Sequence, residues 1–372
     1  MNPCRWFLHT TPAKIIQKVK IGVYRISAKV NMSQQRVENT QRALLPAVTV
    51  VEITDPTTIG EGIEVLRQDV MQLEKKPLRA RQLILRLDDS MVLFHSTNLR
   101  MRTRTTLHKG MLAYVVFGPR AKGTVNGLPI RPNLMLAAES GIQVEFVVKA
   151  GYESVTVLFS PAALASHLTG RQRKSNFRAP HGIEVLHTNE IHARGLFDWG
   201  KRLTNTAGHH PDIFNDRKET LVAAQTELLE MLLVALDAPT APQHTRRHHT
   251  RHDRTRIIKL AENYALANSG ERLYVTDLCV ATGVSERTLE YAFQEIMGMS
   301  PMAYLTRLRL HRVRQVLRMA THGSTTVSAQ ALNWGFWHFG DFSHAYKDCF
   351  GELPSETLRR EPSETSSNSK AI

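Results

Sequence analysis

Two stretches near the end of the chain share one skeleton, and this repetition constrains the fold more than any other feature of the 372 residues. GVSERTLEYAFQEIMGMSP fills positions 283 to 301, and GFWHFGDFSHAYKDCFGELP fills 335 to 354. Gly283 and Gly335 open the copies, Gly298 and Gly351 close their apolar runs, and Pro301 and Pro354 come next. Val275 corresponds to Val327, Leu289 to Phe342 and Phe293 to Tyr346, with one extra residue in the second turn.

Each copy reads as a short helix, a glycine turn and a second helix. In the first, Leu278, Cys279 and Thr282 form the inner face of the leading helix. Gly283 turns the chain with the freedom glycine has at positive φ, and Ser285 caps the second helix. Leu289, Phe293 and Ile296 are then inward, leaving Glu286, Arg287, Glu290, Tyr291 and Gln294 outward. In the second copy Val327, Ala331 and Leu332 precede the turn. Phe342, Tyr346 and Phe350 are the inner side after it, and His338 is a weaker cap than Ser285. A helix-turn-helix has this composition.

Between the copies runs PMAYLTRLRLHRVRQVLRMA, 301 to 320, opened by proline and unbroken inside. Twenty helical residues span about 30 Å. One turn of B-DNA advances about 34 Å, so such a strut suits two helices entering successive major grooves. Its arginines, 307, 309, 312, 314 and 318, have no acidic neighbour within the segment. Arg307 and Arg312 are expected on phosphates, and Arg309 is expected inside, held by a carboxylate. A net charge of +14 favours polyanionic partners in general.

Upstream the pattern changes. LILRL and MVLFH flank Asp88-Asp89-Ser90, LRMRTRT alternates over 99 to 105, and LAYVVF, VEFVV and VTVLF come after. Asn126-Gly127 and Ala150-Gly151 mark turns. Short strands at this spacing predict an antiparallel barrel or sandwich. Ser160-Pro161 starts a helical region. One helix, 188 to 206, would carry Ile191, Gly195, Trp199 and Leu203 on one face. A second, 216 to 236, carries a leucine stripe from Leu221 to Leu236 that fits either the β domain or a second subunit.

The expected organisation is a basic arm at 1–40, a sensor or dimerisation domain at 41–236, a linker at 237–254, a helical domain at 255–361 and a tail at 362–372. Residues 1 to 31 contain no acid, and Met32 opens a more ordinary sequence. No apolar run reaches the roughly 18 residues of a membrane span. Cys4, Cys279 and Cys349 have neither zinc spacing nor the number for a disulfide framework, which suits a reducing cytoplasm. His248 and His252 stand four apart without a third ligand, and no metal or cofactor is expected.

Residues 255 to 360 resemble the DNA-binding domain of the AraC/XylS family of bacterial transcription regulators. The resemblance rests on both glycine-turn units, on RLHRVRQVL between them, and most of all on GFWHFGDFSHAYKDCFGELPSE. It implies an α+β protein: a β-rich barrel or sandwich sensor with helices, then an all-α domain of seven helices. It implies double-stranded DNA as partner, a cytoplasmic activator contacting RNA polymerase, a small-molecule effector and a homodimer. Base contacts would come from Arg287, Glu290, Tyr291 and Gln294 in the first unit. In the second they would come from Gly340, Asp341, Ser343 and His344, with Lys347 near the backbone. Glu290 and Asp341 are unusual on a DNA-facing surface, where an acid accepts from cytosine or orients an arginine.

Two other functional classes make different demands. A DNA-targeted repair or enzymatic protein needs an activated thiolate or a zinc-held cysteine cluster, which Cys4 alone does not supply. Metal-binding barrels would need an HxH with further ligands, whereas His95 and His108 stand apart. A regulator whose N-terminal domain is a protein-interaction module stays open at this level.

Overall fold

The computed structural model describes residues 46–60, 63–108, 110–170, 179–236, 246–321 and 323–360. The arm, the tail and residues 237–245 of the expected linker lie outside these.

Twelve strands among the described residues form two antiparallel sheets. The larger has the order β1 (Val48–Ile53), β3 (Ala80–Leu87), β4 (Ser90–Thr97), β11 (Tyr152–Phe159), β6 (Leu112–Phe117), β9 (Leu134–Glu139) and β12 (Ile183–His187). The smaller has the order β2 (Leu66–Gln72), β5 (Met101–Leu107), β10 (Gln143–Val148), β7 (Gly123–Val125) and β8 (Leu128–Pro129). The sheets end separately, so the region expected as a barrel or sandwich is two sheets without barrel closure. Asp88 and Asn126 take positive φ at the β3–β4 and β7–β8 turns, where short hairpins require it.

Strand alternation sorts each side chain into a layer. On β4, Val92 and Phe94 face the helices, while Met91 and Leu93 face the space between the sheets. The helical side is covered by α2 (Glu190–His209) and α4 (Lys218–Leu236), with α1 (Pro161–Gly170) and the short α3 (Pro211–Asn215) contributing to the same core. Ser160 Oγ accepts from the amide of Ala163, capping α1 as its sequence predicts.

Leu228, Leu229, Leu232 and Leu233 of α4 are buried against this sheet and α2, so the leucine stripe is explained within the chain. On α2 the expected face is found only in part. Trp199 is buried and Leu203 packs on the core, whereas Ile191 is 77% exposed and Leu196, Phe197 and Gly200 are buried as well. Gly200 lies so close to Val155 that a Cβ would sit 2.6 Å from its methyl carbon. The intimate approach to β11 therefore sets the buried face.

Among the described residues the C-terminal part comprises seven helices, the number the resemblance implies: α5 (Arg246–Ala267), α6 (Val275–Thr282), α7 (Glu286–Ile296), α8 (Pro301–Met319), α9 (Val327–Asn333), α10 (Phe339–Phe350) and α11 (Pro354–Arg359). Helix α5 begins inside the stretch expected as linker. Two apolar clusters hold this part together: Ile258, Ala261, Leu289, Phe293 and Tyr304 in one, and Leu310, Val313, Phe342 and Tyr346 in the other. The first also takes in Met71, Leu73 and Val147, so the outer face of the small sheet is packed against the helices.

Candidate nucleic-acid interface

Both glycine-turn units form as their sequences predict. Gly283 has φ +70 at the end of α6 and Gly335 has φ +75 after α9. Ser285 Oγ accepts from the amide of Thr288, whereas His338 makes no side-chain cap. Leu278, Leu289, Phe293, Phe342 and Tyr346 are buried. Leu332, expected inward, is 38% exposed, because Phe336 and Trp334 pack on that cluster in its place.

The helices after the turns present the residues assigned to DNA. Arg287, Tyr291 and Gln294 on α7 are exposed, and Glu290 is half-buried. Gly340, Asp341, His344 and Lys347 on α10 are exposed, and Ser343 is half-buried. The Arg254 guanidinium lies 4.5 Å from the centre of the Tyr291 ring and pairs with Glu295. This contact stiffens the aromatic side chain on the outward face of α7. Between the units α8 is one continuous helix, opened by Pro301 with Ser300 Oγ accepting from Ala303.

The strut arginines behave otherwise. Arg307 is buried, with Nη1 3.2 Å from both the Glu74 carbonyl and Cys349 Sγ. Arg312 pairs with Asp69 at 3.1 Å. Arg314 donates to Asp55 at 2.6 Å and meets Glu352 at 2.9 Å, while Arg318 lies 3.4 Å from Asp55. Thus Arg307 and Arg312, expected on phosphates, are turned toward the β domain in this conformation. Helical periodicity shows a basic face but not which neighbour it meets. Arg309, expected on a carboxylate, donates to the Glu271 carbonyl at 3.1 Å beside Gly335. Arg314 holds the carboxylates instead.

The deepest contact is a charge cluster between α5, α8 and the small sheet. Glu262, fully buried, accepts from Arg102 at 2.6 Å and from Arg104 at 2.6 and 2.9 Å, and from Tyr304 Oη at 3.2 Å. Arg102 also meets Asp69 at 3.1 Å, and Arg104 meets Glu145 at 2.7 Å. Burial alone would raise the Glu262 pKa, but Arg102 and Arg104 hold it below the usual carboxylate range. Asp55 is likewise pushed up by burial and brought down to about 2 by Arg314. Each of these charges has an opposite charge beside it, the condition under which buried charge is tolerated.

A cavity of about 90 Å³ opens between the two sheets, lined among others by Leu93, Phe146, Gln68, Gln82, His95 and Thr103. Among the described residues no group of three or more His, Cys, Asp or Glu could hold a metal ion. No helix among them is long and apolar enough to cross a membrane.

Comparison with known proteins places the helical part. A family model described as a helix-turn-helix domain matches residues 278–360. The probable thc operon regulatory protein of Rhodococcus erythropolis is 39% identical over 106 residues, covering 28% of this chain and 32% of that protein. XylDLEGF operon transcriptional activator 2 of Pseudomonas putida is 39% identical over 75 residues, covering 20% and 48%. A solved structure of a probable AraC family transcriptional regulator from Rhodopseudomonas palustris is 42% identical, covers 28% of this chain and 96% of that one, and has a TM-score of 0.26.

The C-terminal domain is of the AraC/XylS type. The chain spans about a third to a half of the length of these two curated relatives.

Sequence reasoning finds the exposed faces of the AraC/XylS-type domain and misses what its buried side does. Glu262, Asp55 and Asp69 do not stand out in the sequence, since their partners lie far along the chain. One local signal exists: LRMRTRT places arginines on one face of β5 and threonines on the other, which is unusual for a strand with a solvated side. Gly298, φ +75, ends a helix as its sequence suggests. It also makes room for Arg100, whose Nη1 would fall 1.4 Å from a Cβ there.

Proposed function

We propose that this chain is a transcription regulator that reads duplex DNA with α7 and α10 and answers to a small molecule in its β domain. The observation that carries the DNA reading is the pair of exposed helices, each after a glycine turn, at the two ends of one unbroken strut. Arg287, Glu290, Tyr291 and Gln294 are the base-reading set of the first unit. Gly340, Asp341, Ser343 and His344 serve the second, with Lys347 on the backbone. Because Gly340 has no side chain, the second unit reads less sequence than the first.

The sensor reading is supported by strand alternation. Gln68, Thr103 and Thr105 line the cavity, while Asp69, Arg102 and Arg104, their neighbours on β2 and β5, grip the helical domain from the opposite face. One pair of strands is therefore the wall of the cavity and the base of the Glu262 cluster. A ligand that shifts this wall changes how firmly the DNA-binding domain is held, which is the differential contact an effector needs. The strut arginines now on Asp55 and Asp69 would be released to phosphates in the DNA-bound state. Activation through RNA polymerase and assembly as a homodimer complete the reading, which has no catalytic step.

Selection of bound duplexes from a randomised pool by the full chain tests the DNA part. A shared bipartite sequence is expected, and recovery of unrelated sequences would contradict it. A thermal-shift screen of the full chain against a metabolite panel tests the sensor part. Stabilisation by a restricted set is expected, and none by any compound would oppose it.

A further inference from the structure

One end of the small sheet carries a row of cations against α7. Val148 of β10 pairs with Met101 of β5 on one side and with Gly123 of β7 on the other. One residue further, Lys149 therefore stands between Arg100 and Lys122, and its amide donates to the Lys122 carbonyl at 2.9 Å. Side chains alternate along a strand, so these three share the outer face with Val147 and Arg102, which pack toward the helical domain. They line a cleft of about 270 Å³ whose other wall includes Glu295 and Ile296 of α7.

Like charges directly opposite one another across strands are destabilising. Arg100 is partly relieved: its guanidinium lies over Gly298, just past the C-terminal end of α7, where the helix dipole favours a cation. Lys122 and Lys149 are exposed, and neither makes an ion pair or a side-chain hydrogen bond among the described residues. The acid lining the cleft, Glu295, is paired with Arg254. Two unneutralised cations side by side call for an anion from outside the chain.

We propose that the β domain contacts the DNA backbone here, with Lys122 and Lys149 taking phosphates beside the first recognition helix. This rests on the reading of α7 as a DNA-reading helix and extends the interface beyond the helical domain. Position decides for a duplex as the source of the anion. Glu295 follows Gln294, an outward residue of α7, and Arg254 joins Glu295 to the ring of Tyr291, another outward residue. The lysines therefore stand at the edge of the face turned to DNA. Spacing agrees, since neighbouring strands lie about 4.8 Å apart and each lysine is a point charge on a flexible stem, so the pair reaches two neighbouring phosphates. Such contacts fix orientation and carry no sequence information, which leaves the bases to α7.

The test is DNA affinity of the full chain against salt, on a duplex selected by that chain and on an unrelated duplex. Lys122→Gln/Lys149→Gln should make the log–log slope shallower by about 1.8, or about 0.9 for each phosphate contact, and weaken both duplexes by a similar factor. Lys149→Gln alone should give about half that change in slope. Because the two side chains are exposed and repel one another, neither variant should lower the melting temperature of the free chain. Arg217→Gln/Lys218→Gln removes the same charge at the start of α4, on the opposite side of the β domain, and should leave the slope unchanged. An unchanged slope in both lysine variants, with selection of the duplex preserved, would overturn the β-domain contact and leave α7 as a reader. An equal change in the α4 control would overturn it too, by showing a general effect of net charge. So would a loss confined to the selected duplex, because a phosphate contact does not distinguish sequences. If the unmodified chain prefers no sequence, the reading of α7 fails and this contact with it.

Discussion

Arg102 on β5 and Glu262 on α5 meet at 2.6 Å with both side chains fully buried, although 160 residues separate them. Removing one partner of such a pair strands the other charge. Glu262→Leu should therefore destabilise the chain by about 3–5 kcal/mol, read by denaturant unfolding. A change within about 0.5 kcal/mol would mean that the pair is solvated in solution.

Acid should weaken the fold in two steps. His95 has its pKa lowered from 6.5 to about 4 by burial, so the unfolded chain takes up its proton first. Its contribution, about 3 kcal/mol, is complete above pH 6.5 and lost as pH falls toward 4. Asp55 is lowered from 3.8 to about 2, against its own burial, by Arg314. Its share, about 2 kcal/mol, is present above pH 3.8 and lost as pH falls toward 2. Stability measured against pH should lose the first step in His95→Phe and the second in Asp55→Asn. Persistence of a step in its variant would assign it elsewhere.

Arg287→Ala should weaken specific DNA binding by about 1–3 kcal/mol and relax preference at one base step. Competition among duplexes that vary one position at a time reports this. An unchanged preference profile would move the recognition face away from α7.

Asp69→Asn should release Arg312, adding roughly one phosphate contact and steepening the salt dependence of DNA affinity by about 0.9 in log–log slope. Titration at several salt concentrations checks it. An unchanged slope would show that Arg312 stays with the β domain when DNA is bound.

The legible part of the sequence is local. Gly283, Ser285 and Pro301 specify a turn, a cap and a helix start by their own stereochemistry, and each is found in that role. The apolar spacing of Leu289 and Phe293 fixes the inner face of α7, and hence the outward residues, without knowledge of a partner. The strut is different. Its arginines occur on several sides of the helix, and whether one meets phosphate, carboxylate or carbonyl depends on what is packed there. Arg307, Arg309 and Arg312 accordingly meet partners other than those expected. Glu262 and Asp55 carry no sequence signal, because a buried acid differs from a surface acid only through partners brought up by the fold. The unclosed sheets are illegible for a similar reason: alternation reports two faces per strand, not whether the last strand meets the first.

The central claim is that α8 holds two DNA-reading helices at a fixed separation, and the spacing of the bound site tests it most directly. With a duplex selected by the full chain, insertions of a half turn and of a full turn should be placed between its two parts, and affinity measured for each. Because the strut is one unbroken helix, both insertions are predicted to lower affinity at least about 100-fold, toward non-specific binding. Retention of affinity within about twofold after the full-turn insertion would contradict a rigid reader.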